Sequence, residues 1–153
     1  MSTLQKITPF LWFDKEAGDA AKFYTSIFNN SKMSEPDKIN DTPSGEAQVY
    51  SVELCGQQFT LMNAGPHFKF NEAISFVVAC EDQNEIDYFW EKLTSNGGSE
   101  GRCGWLKDKF GVSWQVTPLK LGSLLSADKT GEVMQAMLKM NKIIIEDLKV
   151  EKK

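Results

Sequence analysis

Phe10-Leu11-Trp12-Phe13, followed at helical spacing by Ala20, Phe23, Tyr24 and Ile27, returns later in the chain as Phe76-Val77-Val78-Ala79, followed by Ile86, Phe89, Trp90 and Leu93. Each copy is an apolar strand feeding an amphipathic helix. Two copies of one supersecondary unit must bury their apolar faces in equivalent ways, so the repeat decides the fold before any local propensity does. The likeness runs on past the helices. Cys55-Gly56-Gln57-Gln58-Phe59-Thr60-Leu61-Met62 parallels Phe110-Gly111-Val112-Ser113-Trp114-Gln115-Val116-Thr117, a glycine turn entering a strand that alternates apolar and polar residues. Each unit therefore reads as strand, helix and about three further strands, with shorter middle strands in the second copy and hairpins of varying length. The fold class is α+β, built of two βαβββ modules.

The chain has 153 residues, 41% of them hydrophobic. At this length a single domain buries on the order of 70% of its unfolded surface, enough for a core without disulfides or metal. Module one is expected at about 5–64, module two at about 71–119 and a helical extension at 120–153. A net charge of −4, with 17 scattered Lys and Arg, disfavours nucleic acid as a partner. No apolar run approaches the roughly 20 residues that span a bilayer, and there is no polybasic patch for a membrane surface. The start lacks the features of a signal peptide, so the expected location is cytoplasmic. Cys55, Cys80 and Cys103 are odd in number and far apart, which suits a reducing compartment and gives no metal-ligand spacing.

The elements follow from patterning. The first strand is expected over 6–13, with Asp14 and Glu16 suited to the positive end of a helix that runs to about Phe28. Its stripe is Ala17, Ala20, Phe23, Tyr24, Ile27 and Phe28. Residues 35–45, polar and carrying Pro36 and Pro43, read as a mobile hairpin tip or loop. Strands are expected over 47–55, 58–63, 72–80, 101–107 and 112–117. Asp82 and Glu85 form a capping box for a second helix from Gln83 to about Ser95, closed by Asn96-Gly97-Gly98. Val133, Met134, Met137, Leu138 and Met140 mark a further helix, and 143–145 a last strand.

Ile7-Thr8-Pro9-Phe10-Leu11-Trp12-Phe13, Phe23-Tyr24, the run from Gly65-Pro66-His67-Phe68 to Ser75-Phe76, Cys103-Gly104-Trp105-Leu106-Lys107-Asp108 and Phe110-Gly111-Val112-Ser113-Trp114-Gln115 together resemble the PhnB-like branch of the vicinal oxygen chelate (glyoxalase and bleomycin-resistance) superfamily. That resemblance implies two βαβββ modules whose curved sheets form a cup around a small-molecule site, with helices outside, in a homodimer. Members carry the label 3-demethylubiquinone-9 3-methyltransferase. Against that chemistry, the chain shows no glycine-rich turn between strand and helix to receive S-adenosylmethionine.

Strand alternation then sorts the side chains. With Phe10, Trp12, Phe59, Leu61, Phe76, Val78, Trp114 and Val116 facing the helices, the cup is lined by Ile7, Pro9, Leu11, Gln58, Thr60, Met62, Ala73, Ser75, Val77, Ser113, Gln115 and Thr117. The expected ligand contacts are Leu11, Gln58, Thr60, Met62, Ser75, Ser113 and Gln115, with His67 and Trp105 at the rim. A solidly packed second core is the alternative. The superfamily's metalloenzymes imply a cation at positions matched here by Ile7, Thr60, Ala73 and Gln115, and two of those have no lone pair, so no metal or cofactor is expected.

His67, the one histidine, reads either as a solvent-facing packing residue or as a base near neutral pH. Cys103 reads as a small hydrophobe, with Arg102 the sole neighbouring cation to activate a thiolate. Phe68 and Phe70 are further rim aromatics, and the methionines at 134, 137 and 140 suit a dimer or domain-covering helix. The function expected is metal-free binding of a small organic molecule. The alternative is a lyase, isomerase or oxygenase whose divergent site uses Gln115, His67, Glu72 or Cys103.

Overall fold

A computed structural model describes residues 5–148 and separates the chain into two compact units, Met1–Lys69 and Phe70–Lys153. The first unit contains β1 (Phe10–Phe13), α1 (Ala17–Ile27), β2 (Lys32–Met33), β3 (Asp37–Thr42), β4 (Gly45–Leu54) and β5 (Gln57–Asn63). Its sheet runs β1-β5-β4-β2, with β3 also paired to β4. β1 lies parallel to β5 with Leu11 beside Leu61, and β4 pairs antiparallel with β5 through a turn whose Cys55 and Gly56 both have positive φ. That two-residue turn matches the right-handed twist of the strands it joins.

The second unit repeats the plan. It holds β6 (Phe76–Cys80), α2 (Gln83–Thr94), β7 (Ser99–Glu100), β8 (Trp105–Lys107) and β9 (Ser113–Pro118), ordered β6-β9-β8-β7 with β6 parallel to β9. β3 has no counterpart here. Beyond β9 come α3 (Leu121–Ala127), α4 (Glu132–Met137) and a 3₁₀ turn at Ile145–Leu148. Both sheets are open, and neither closes into a barrel.

Each helix covers one face of its own sheet. Ala17, Ala20, Ala21, Tyr24 and Ile27 of α1 bury against Leu11, Phe13, Val52, Phe59 and Leu61, while Ile86, Phe89, Trp90 and Leu93 of α2 bury with Cys80, Leu106, Trp114 and Val116. Each such side chain contributes about 1.5–3 kcal/mol when removed from water. The caps differ. Asp82 accepts from the Glu85 amide at 2.9 Å, and Glu85 reaches back to the amide of Glu81 at 2.6 Å, one residue before the usual capping-box partner. α1 has no local side-chain cap. Instead Asn63, at the end of β5, accepts from the Ala17 amide at 2.6 Å.

Several expectations are corrected. β1 begins at Phe10 because the Gln5 side chain takes over the pairing upstream. Its amide donates to the Gln58 carbonyl at 3.0 Å and its oxygen accepts from the Gln58 N–H at 3.1 Å, while Ile7 stays 84% exposed. The facing within β1 is also reversed. Leu11 (5% exposed) and Phe13 (3%) lie under α1, and Phe10 (57%) and Trp12 turn away. Four consecutive apolar residues carry no alternation to read, so the register with β5 decides.

Residues 37–42 are a strand. Their polar side chains suit an edge, where the backbone ladder to Val49, Gln48 and Ala47 supplies the stability and no apolar face is needed. β6 starts at Phe76 rather than at 72. Residues 143–145 form no strand: Ile143 is fully buried, and its carbonyl accepts from the Gln83 amide at 3.0 Å. α3, with no buried residue, falls within the helical extension expected over 120–153.

Candidate functional site

The face of the second sheet turned away from α2 carries Trp105 and Lys107 on β8 and Ser113 and Gln115 on β9. Cross-strand pairing sets Trp105 opposite Gln115 and Lys107 opposite Ser113. Residues directly opposite in an antiparallel pair share a face, so these four side chains project together. A cavity of about 280 Å³ lies here, lined by Glu72, Ser99, Glu100, Gly101, Trp105, Leu106, Lys107 and Ser113.

Ser113 is 2% exposed, and its Oγ has no hydrogen-bond partner among the described residues. An unsatisfied buried hydroxyl costs about 1–3 kcal/mol, so Ser113 keeps an open hydrogen-bonding position on this face. Gln115 donates through Nε2 to Ser75 Oγ at 2.9 Å. Lys107 is ion-paired with Glu72, whose carboxyl is held below its ordinary range first by the hydrogen bond from that ammonium. Trp105 and Ser113 were expected at the site and share the cavity. Lys107 was not singled out. Its signal was its alternation with Trp105 along β8, opposite Ser113.

A buried carboxylate shapes this hairpin. Asp108 (3% exposed) accepts from the amides of Phe110 (2.9 Å) and Val112 (3.1 Å) and from the Trp114 indole N–H (2.9 Å). The motif therefore locks the β8–β9 turn and holds Ser113 in register. Cys103 has a left-handed backbone (φ 59°), donates its amide to Met140 O at 2.9 Å and directs Sγ at Met137 O, 3.4 Å away. It anchors the chain that follows α4. Burial, helped by Glu85 and Asp82, pushes the Cys80 thiol up to about 12.

In the first unit, Gln58, Thr60 and Met62 lie on the face turned away from α1, beside Phe10 and Trp12. Gln58 Nε2 donates to Glu53 at 2.9 Å, and both residues line a depression of about 170 Å³ with Lys32, Met33, Ser34 and Ser51. Leu11 leaves the candidate set, since it lies in the core under α1. His67 is exposed. It meets Trp12 edge-on at 6.3 Å, and its Nε2 lies 2.8 Å from Ser44 Oγ. Ser44 gives its one hydroxyl proton to the Ala64 carbonyl at 2.6 Å, so Nε2 is the donor in this contact. Trp12 itself donates to Gly65 O at 2.9 Å and packs edge-on against Phe68 at 5.0 Å.

Residues 5–117 match the family model described as 3-demethylubiquinone-9 3-methyltransferase. The chain belongs to this PhnB-like family. Among solved structures, the PhnB protein from Bacillus cereus is 33% identical, aligned over 74% of this chain and 99% of its own, with a TM-score of 0.63. PA1353 from Pseudomonas aeruginosa is 20% identical over 76% of this chain and 98% of its own, with a TM-score of 0.59. The fosfomycin resistance protein FosX from Listeria monocytogenes is 17% identical over 82% and 98%, with a TM-score of 0.54. The last two are likenesses of fold. The fold is that of the vicinal oxygen chelate superfamily. No curated protein sequence matches.

The family's methyltransferase label and the superfamily's metal sites both make demands on the residues present. The strand-to-helix turns at 14–16 and 81–82 contain no glycine, so neither builds the close backbone approach that a nucleotide-like cofactor uses. Of the four positions matched to metal ligands, Ile7 and Ala73 have no donor atom and Gln115 gives its amide to Ser75. Among the described residues, no three His, Cys, Asp or Glu gather closely enough to hold a metal ion. The residues present do not fit the superfamily's metal cradle. No helix among them is long and apolar enough to cross a membrane.

Proposed function

We propose that this PhnB-like protein binds a small organic molecule without a metal ion, on the face of the module-two sheet that carries Trp105, Lys107, Ser113 and Gln115. The observation that carries this reading is the buried Ser113 hydroxyl, unpartnered among the described residues and lining a cavity. Such sites combine an apolar wall with a few placed polar groups, and here Trp105 supplies the wall. In this reading the protein is a cytoplasmic homodimer, and neither nucleic acid nor membrane is its partner.

Two measurements test it. Elemental analysis of the purified protein is expected to give no stoichiometric zinc, nickel, iron or manganese, and a stoichiometric metal would favour the enzyme reading instead. A fragment library screened by ligand-observed NMR is expected to give hits that are lost in Trp105→Ala, whereas hits that all survive this change would move the site elsewhere. Light scattering on the eluting protein reads the oligomeric state, with two chains per particle expected.

A further inference from the structure

We propose that the ligand of this module-two pocket is a small organic carboxylate, held by Lys107, Ser113 and Trp105, and that Glu72 occupies its position until it arrives. This rests on the binding reading above and adds the ligand's chemical class. Trp12, Trp90 and Trp114 each donate their indole N–H, to Gly65 O, Glu100 and Asp108 respectively. Trp105 is the one tryptophan whose indole N–H finds no acceptor among the described residues, and it lines the same cavity as the unpartnered Ser113 hydroxyl. Each carboxylate that lines the cavity is already engaged elsewhere: Glu100 takes the Trp90 N–H, and Glu72 takes Lys107. Two groups on its wall that can donate, the Ser113 hydroxyl and the Trp105 N–H, have no partner among the described residues, and the wall also bears the Lys107 ammonium. A carboxylate answers both, because an ionised acceptor makes stronger hydrogen bonds than a neutral one and takes several at once.

Glu72 is the natural competitor. It comes from the segment before β6, it is exposed, and its bond to Lys107 is a surface ion pair that contributes little on its own. A ligand carboxylate exchanges like for like at Lys107 and gains the Ser113 and Trp105 donors that Glu72 leaves unused. At about 280 Å³ the cavity lies just under the range of drug-sized sites, so the acid is small.

The test titrates the full chain with sodium benzoate at constant ionic strength and follows the Trp105 indole N–H signal in a ¹⁵N-correlated NMR spectrum. Benzoate is expected to shift that signal, and neutral benzamide is not. Lys107→Gln is expected to weaken benzoate binding about tenfold and Ser113→Ala about fivefold, as for losing a charge-assisted and a neutral hydrogen bond. Glu72→Gln, which removes the competitor, is expected to tighten it about threefold. That variant separates ligand competition from mere structural support, since a supporting ion pair would give weaker binding when broken. Benzamide binding as well as benzoate, or Glu72→Gln weakening benzoate, overturns the proposal while the binding reading stands. If no fragment of any charge shifts the face's signals, both fall.

Discussion

The two modules share one strand order, one parallel pair and one helix-covered face, yet they treat their other faces differently. In module one two of the polar groups turned away from α1 find partners inside the unit: Gln58 gives its amide to Glu53, and Trp12 gives its indole N–H to Gly65. In module two the equivalent region holds a buried hydroxyl and an indole N–H with none among the described residues. A duplicated fold fixes where the faces are. It leaves their hydrogen bonding to individual side chains.

The turns that set those faces differ just as much, and breaking them is the strongest test of the contrast. Asp108→Ala removes three bonds to a buried carboxylate and is expected to cost about 3 kcal/mol or more in a urea unfolding curve. Its counterpart in module one is a two-residue turn in which Cys55 directs Sγ at the Asn29 carbonyl, 3.4 Å away. There, Gly56→Ala, at φ 84° with open space around it, is expected to cost only about 1 kcal/mol of backbone strain. Equal losses at the two sites would show that the Asp108 lock adds nothing.

The caps give a smaller contrast. Asn63→Ala should destabilise by about 1–2 kcal/mol, because it uncaps α1 and unties the helix from β5 together, against about 1 kcal/mol for the local cap in Asp82→Ala. A greater loss at Asp82 would reverse the ranking of tertiary over local capping.

The thiols sharpen it further. Cys80 keeps its proton in the fold to about 12, against an ordinary value of 9.0. Between those limits the unfolded chain binds fewer protons than the native one, so this group lowers stability as pH rises. Mass-resolved alkylation at pH 8 is expected to label exposed Cys55 of module one first and Cys80 of module two only on unfolding. Fast labelling of Cys80 in the native protein would remove its burial.

The smallest effect belongs to Glu72. Its folded value lies below 4.5 because Lys107 favours the ionised form, so its contribution is present above that ordinary value and is lost as pH falls through the folded one. Carboxyl NMR titration should show a midpoint under 4.5 that returns toward it in Lys107→Gln. An unchanged midpoint would break the pairing.

Much of this was legible in the residues. The repeat, both helices, the Asp82 and Glu85 capping pair and the facing of β5, β6 and β9 all follow from spacing, because each rests on a period that one sequence displays. Trp105 was read only as a rim residue, while Ser113 and Gln115 were faced correctly for the same reason. Leu11 was not, since Phe10-Leu11-Trp12-Phe13 is apolar at both parities and only the register against Leu61 chooses between them.

The chain alone, then, determined a duplicated α+β architecture, because burying repeated apolar stripes leaves few other arrangements. Tertiary structure decided what no period encodes: that Gln5 stands in for a strand, that a polar segment joins a sheet edge, that Asn63 caps a helix distant in sequence, and that the Ser113 hydroxyl is left unpaired beside Lys107. Each of these depends on particular polar atoms meeting, or failing to meet, partners elsewhere in the fold. Hydrogen bonding is directional and pairwise, whereas hydrophobic patterning is collective, so the pattern survives in one dimension and the pairing does not.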